Sequence, residues 1–211
     1  MPVTKSTKPT PPKKKNFSSF NYKSAFKQLN ITQLMAWGVE FEPIAPSDFF
    51  HQHLARLQCF DLQSSEESKK LIIDAILAEA IQRFPQLKIW KSAELESDRL
   101  TGEADYLIAA KRAYLEAPFA CVVEAKRDDF YQGTAQCLVE MQACQWNNQQ
   151  LGRDMTVFGI VTNGTTWQFY QLLTSGEVYE TLPYSISDLN SVLGLLQDVF
   201  QQCESNLGNV N

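Results

Sequence analysis

The chain predicts an α/β domain with a mixed β-sheet flanked by helices, and three observations lead there. Helical patterns and strand-like runs follow one another in the order α-βββ-α-ββ-α, which suits one sheet covered by helices. The strand-like runs, 87–95, 99–110, 119–126, 155–162 and 166–173, are bounded by turn residues and helix signals. Finally, 211 residues suffice for one core with additions outside it.

Taken in order, residues 1–19 hold Pro9, Pro11, Pro12 and a cluster of lysines and read as a flexible basic arm. Residues 20–211 read as one domain, its core at about 64–173, preceded by helical additions. A short helix is expected from Asn21 to about Leu34. Pro43 and Pro46 break the chain. Ser47 and Asp48 then cap a helix through Phe60, with Phe50, Leu54 and Leu57 on one face. Ser64 followed by Glu67 fits a capping box opening a long helix that ends near Phe84, before Pro85. At 100° per residue, Ile72, Ile76, Ala80 and Glu79 line one side of it, while Asp74 points away. Glu79 therefore sits beside the buried face and needs a partner.

Beyond the three central strands, Gln132 to about Asn148 reads as a helix with Ala135, Gln136, Val139 and Ala143 on one side. Its Gln132 and Glu140 read as solvated surface. Asn163-Gly164 is a hairpin turn signal between the last two long strands. A short strand at Val178–Leu182 and a helix from Ser187 to Cys203 close the chain, and no internal repeat is visible.

Hydrophobic residues make up 44% and charged residues 20%, as in ordinary globular proteins. No run approaches the roughly 20 apolar residues that cross a bilayer, and the N-terminus has no apolar signal core. The expectation is a cytoplasmic protein with no membrane partner. Seven of the 19 basic residues precede the first acid, Glu40, leaving 12 basic against 24 acidic residues and a net of −12 on the rest. Such a body is no broadly basic DNA-binding surface, although bound metal ions invert local charge. Five cysteines without Cys-x-x-Cys spacing read as reduced thiols, and His51 and His53, two apart on a helix, make a poor metal pair.

The sharpest chemical signal is the strand Phe119-Ala-Cys-Val-Val-Glu-Ala-Lys126. Side chains alternate along a strand, so Glu124 and Lys126 share a face. On the preceding strand Asp105 shares a face with Leu107 and Ala109, and Glu103 has the same parity. If the two strands pair, Asp105 and Glu124 converge. Adjacent carboxylates repel, and a hard divalent cation relieves them. Lys126 could then orient a water or offset charge on a phosphate.

This arrangement resembles the PD-(D/E)XK, or restriction-endonuclease-like, nuclease superfamily, with an Asp on one strand and Glu-x-Lys ending the next. The resemblance spans about Ser64 to Leu173. The stretches VVEAK, GTAQCLVEMQA and FGIVTNGTTWQF are also similar to the N-terminal nuclease domain of type I restriction subunits and to small bacterial relatives. Ala104 stands where the family has its eponymous proline. The resemblance implies a restriction-endonuclease-like core and Mg²⁺-dependent hydrolysis of DNA phosphodiesters, with Mn²⁺ as substitute. It assigns Asp105 and Glu124 to the metal, with the Ala125 carbonyl as a further ligand, Lys126 to the attacking water, Glu79 to a second metal or its hydration shell, and Gln136 to steadying the site. DNA is the implied partner, with a homodimer or a larger restriction or repair assembly as candidate protein partners. The alternative is a catalytically silent module of the same fold that binds a partner. A third reading, an enzyme on a small phosphorylated substrate, lacks a glycine-rich phosphate loop. Trp167 and Tyr170 are expected to pack the hairpin rather than stack on bases.

Overall fold

A computed structural model describes residues 13–62, 64–126 and 129–208. Its elements are β1 (Lys15–Asn16), α1 (Tyr22–Leu29), β2 (Met35–Ala36), α2 (Asp48–Leu57), α3 (Glu66–Ile81), β3 (Leu87–Glu96), β4 (Leu100–Ala110), β5 (Phe119–Ala125), α4 (Phe130–Gln150), β6 (Val157–Thr162), β7 (Thr166–Leu172), β8 (Val178–Glu180), β9 (Tyr184–Ser185) and α5 (Leu189–Gly208). The strands form one mixed sheet in the order β1-β4-β5-β6-β7-β8-β2, with β3 added to β4 and β9 to β7. The α/β class and the helix-flanked mixed sheet are as expected.

Its centre is β4-β5-β6. β4 and β5 are antiparallel, whereas β5 and β6 are parallel, so the chain must cross back over the sheet between them. The crossover is α4, which packs on β5 and β6. Leu107, Val122, Val161, Tyr170 and the buried residues of α4 form one core layer. Tyr106, Cys121, Val123, Ile160 and Phe169 form the other layer with α2, α3 and α5. The alternation along β4 and β5 thus divides two cores, and Glu124 follows Val122 onto the α4 side. Ala120 departs from this parity and packs with the α3 and α5 core, beside the register shift at Ile108/Ala109.

Local signals set several boundaries. The Ser47 hydroxyl caps α2 by accepting the Phe50 N–H at 3.1 Å. α3 is capped one residue later than expected: the Ser65 hydroxyl, rather than that of Ser64, accepts the Ser68 N–H at 3.0 Å. At the β6–β7 turn the Asn163 side chain accepts the Thr165 and Thr166 N–H groups, and Gly164 takes a positive φ of 84°. Trp167 and Tyr170 are buried in the sheet, so they serve packing. All five cysteines are free, and only Cys59 is exposed.

The expected arm needs correction at its C-terminal end. Residues 1–12 lie outside the described residues, but Lys15–Asn16 pair with Leu100–Thr101 of β4. Phe17 and Phe20 are buried, and the Phe17 ring fills the space where a Cβ on Gly102 would stand. Burying two phenylalanines outweighs ordering a short polar stretch between them. No helix among the described residues is long and apolar enough to cross a membrane.

Candidate active site

The β4–β5 ladder ends with Tyr106 opposite Val123, so Asp105 and Glu124 are the next residues across. Directly opposed positions bring Cβ atoms to about 5 Å. Beyond the last rung the Asp105 side chain takes over the pairing, and its Oδ2 accepts the Ala125 backbone N–H at 2.9 Å. The two strand acids meet at one sheet end, as their parity requires. Glu103, which shares that parity, is exposed and lies across from Glu94 of β3; it is outside the cluster.

Each acid has a lysine. Lys126 Nζ lies 2.7 Å from Glu124 Oε1, and Lys70 Nζ from α3 lies 2.9 Å from Asp105 Oδ1. Lys70 also reaches Glu67 at 3.0 Å and Glu66 at 3.7 Å, on the first turn of α3. The site is graded in depth. Side-chain exposure is 18% for Asp105, 16% for Lys70 and 19% for Lys126, but 2% for Glu124. Solvent reaches the amines and Asp105, while Glu124 lies beneath them.

Burial governs the electrostatics. It pushes the Glu124 carboxyl up to about 7, reinforced by the Asp105 charge and opposed by Lys126. Burial lowers Lys126, but the charge and hydrogen bond of Glu124 more than offset this and hold the ammonium above its ordinary range. Lys70 is likewise raised: desolvation opposes its charge, while hydrogen bonds to Asp105 and Glu67 outweigh it.

The helix α4 closes the site from above. Gly133 makes the approach possible, since a Cβ there would stand 2.9 Å from Lys126 Cγ and 2.8 Å from Val161 Cγ1. Gln136 and Glu140 follow Gly133 at helical spacings of three and seven, on the same stripe. Gln136 is buried there. Glu140, expected on a solvated face, is fully buried. Burial and then the charges of Glu124 and Asp105 push its carboxyl well above the ordinary range. Helix periodicity missed it because α4 is covered on both sides, by the sheet and by α1, and has no broad polar face. Gln132 is half-buried and donates to the Phe20 carbonyl at 2.9 Å, holding the N-terminal segment.

Glu79 is not in this cluster. Its Oε1 accepts the Ser47 N–H at 2.7 Å and its Oε2 the Ser47 hydroxyl at 3.1 Å. It also lies nine residues beyond Lys70, about 13 Å along the helix axis. The partner it needs is the start of α2, and the structure does not bring it to the two strand acids. The α3 acids beside the site are Glu66 and Glu67.

Among the described residues no three acid, histidine or cysteine side chains stand ready-made as a cation cage; Lys126 and Lys70 hold Glu124 and Asp105 instead. A surface hollow lined by Val39, Phe41, Ile44, Phe84 and Gly194 among others includes none of these acids. Comparison with known proteins returns no matching family model and no matching curated relative.

Proposed function

We propose that this protein is a metal-dependent nuclease of the restriction-endonuclease-like type, hydrolysing phosphodiester bonds of DNA in the cytoplasm. The observation that carries the reading is the convergence of Asp105 with Glu124 at one sheet end, with the Lys126 amine 2.7 Å from Glu124. Carboxylates on opposed strands plus an amine two residues on form the donor set that a phosphodiesterase site needs.

The donor chemistry fits a hard divalent ion. Asp105 and Glu124 bring two carboxylates together, each beside an amine, and magnesium or manganese prefers such oxygens. Asp105 and Glu124 would hold it, with the Ala125 carbonyl as a backbone ligand. The bound ion supplies polarisation of a phosphate oxygen and a more acidic water. Lys126 orients the nucleophile and balances charge growing on the phosphate, and because it is partly exposed it can meet substrate without a lid. Lys70 holds Asp105 in place and adds positive charge on the substrate side of an otherwise acidic body. Gln136, buried beside Gly133, steadies the α4 wall.

The experiment is cleavage of plasmid and linear DNA with Mg²⁺ or Mn²⁺, set against chelator and against Lys126→Ala. Cleavage that disappears with either control supports the reading. Full activity in the variant rejects it.

One observation favours a second reading, a silent interaction module. Both strand acids already have an internal lysine partner, which is how a structural ion-pair network also looks. Folded protein without cleavage or cation binding under any of these conditions would select it.

A further inference from the structure

We propose that Glu140 is a third carboxylate ligand of the divalent cation, supplied by the crossover helix α4. The inference rests on the nuclease reading and extends it to a residue that strand parity does not reach.

Three observations carry it. First, Glu140 is fully buried, no donor group reaches either carboxylate oxygen, and the polar group it meets is a second acid, Glu124. Three other buried polar side chains at α4 have partners: Glu124 meets Lys126, Thr134 the Tyr170 hydroxyl, and Asn148 both backbone groups of Phe119. Some neutral donors elsewhere, such as the Trp90 and Trp167 indoles, are also unpaired. An indole N–H left alone costs about 1–3 kcal/mol, whereas an acid buried against other acids can hold its charge only where a cation serves it and otherwise stays protonated.

Second, the helix brings Glu140 to the acids. Gly133 lets α4 settle on the Lys126 stem, and Glu140 lies two turns further along that stripe, where Glu124 and Asp105 are its strongest charged neighbours. Third, the two amines make their ion pairs elsewhere, Lys126 with Glu124 and Lys70 with Asp105. Lys126 acts on Glu140 only at a distance, without a bond to it, and its effect is outweighed by burial and the two acids. A divalent ion between Glu124 and Glu140 answers both the missing partner and the like-charge contact, since it can accept oxygen from each.

The test is calorimetric titration of the full chain with Mn²⁺, comparing wild type, Glu140→Gln, Glu140→Met and Glu124→Gln, with thermal melts of the metal-free proteins alongside. The expected result is that both Glu140 variants bind Mn²⁺ roughly tenfold or more weakly than wild type. Their metal-free melting temperatures should equal or exceed that of wild type, because a buried charge has gone. The methionine variant guards against misfolding, as an apolar side chain of similar length suits a buried position. Wild-type affinity in both Glu140 variants, with binding abolished in Glu124→Gln, would overturn this inference and leave the nuclease reading standing. No Mn²⁺ binding by the wild type would overturn both.

Discussion

The Asp105 carboxylate accepts the backbone N–H of Ala125 at 2.9 Å, tying the acid of β4 to the residue between Glu124 and Lys126. This bond takes the place of the next ladder rung and fixes the register in which the two strand acids face each other. Asp105→Asn keeps an oxygen for that N–H but removes the charge that Lys70 pairs with. Asp105→Ala leaves a buried donor alone, which costs about 1–3 kcal/mol. Urea denaturation should find the alanine variant the less stable of the two, while both lose DNA cleavage. Equal stabilities would show that the Ala125 bond contributes nothing.

The raised proton affinity of Glu124 makes the metal-free protein pH-sensitive in a defined direction. In the unfolded chain this carboxyl titrates near 4.5, and in the fold at about 7. Between those values the folded state holds more protons than the unfolded state, so stability falls as pH rises. The contribution is complete below the unfolded value and lost once pH passes the folded one, a span worth up to about 3 kcal/mol. Denaturation in chelator at pH 5 and pH 8 should show wild type losing more stability than Glu124→Gln over that interval. A parallel loss in the two proteins would place the titration on other groups.

How much of this was legible beforehand depends on how local each signal is. Strand alternation is a two-residue rule, and it brought Asp105, Glu124 and Lys126 to one face without knowledge of the rest. Helix periodicity identified a buried side of α3 and put Glu79 beside it. The residue that satisfies Glu79 is Ser47, 32 positions away, and no pattern within α3 could name it. Lys70 was invisible for the same reason, since its value lies in reaching Asp105 on a strand far along the chain. Glu140 failed differently: a helix sandwiched between sheet and α1 loses the polar stripe that periodicity needs. At the N-terminus, lysine and proline content obscured Phe17 and Phe20, two aromatic residues three apart that were the available sign of anchoring.

Gly133 sets how close α4 comes to the Lys126 side chain. Alanine there gains helix propensity worth about 1 kcal/mol, but its Cβ meets Val161 Cγ1 at 2.8 Å and Lys126 Cγ at 2.9 Å. Valine is stiff at χ1 and sits in the sheet, so the lysine stem or the helix must move. Overpacking of this kind costs about 1–3 kcal/mol, enough to cancel the propensity gain. Gly133→Ala should therefore be no more stable than wild type in thermal melts, and it should cleave DNA about tenfold or more slowly, since small displacements of a catalytic group cost that much. An alanine variant that is more stable and fully active would show that the helix has room to spare.

Glu79 offers the opposite pattern, a structural loss without a chemical one. Its carboxylate satisfies the Ser47 backbone N–H and hydroxyl at the start of α2, where the helix dipole also favours a negative charge. Removing it by Glu79→Ala leaves those donors to water at the exposed start of α2, a loss of up to about 1 kcal/mol by analogy with other helix caps. The stripe from Gly133 to Glu140 and the strand acids are untouched by the change, because α3 carries Glu79 more than two turns away from Lys70. Urea denaturation should register the loss, while Mn²⁺ affinity and DNA cleavage per folded molecule stay at the wild-type level. Should Glu79→Ala instead abolish Mn²⁺ binding at unchanged stability, the carboxylate would belong to the cation site after all, and the separation between the start of α2 and the β4–β5 acids would be wrong.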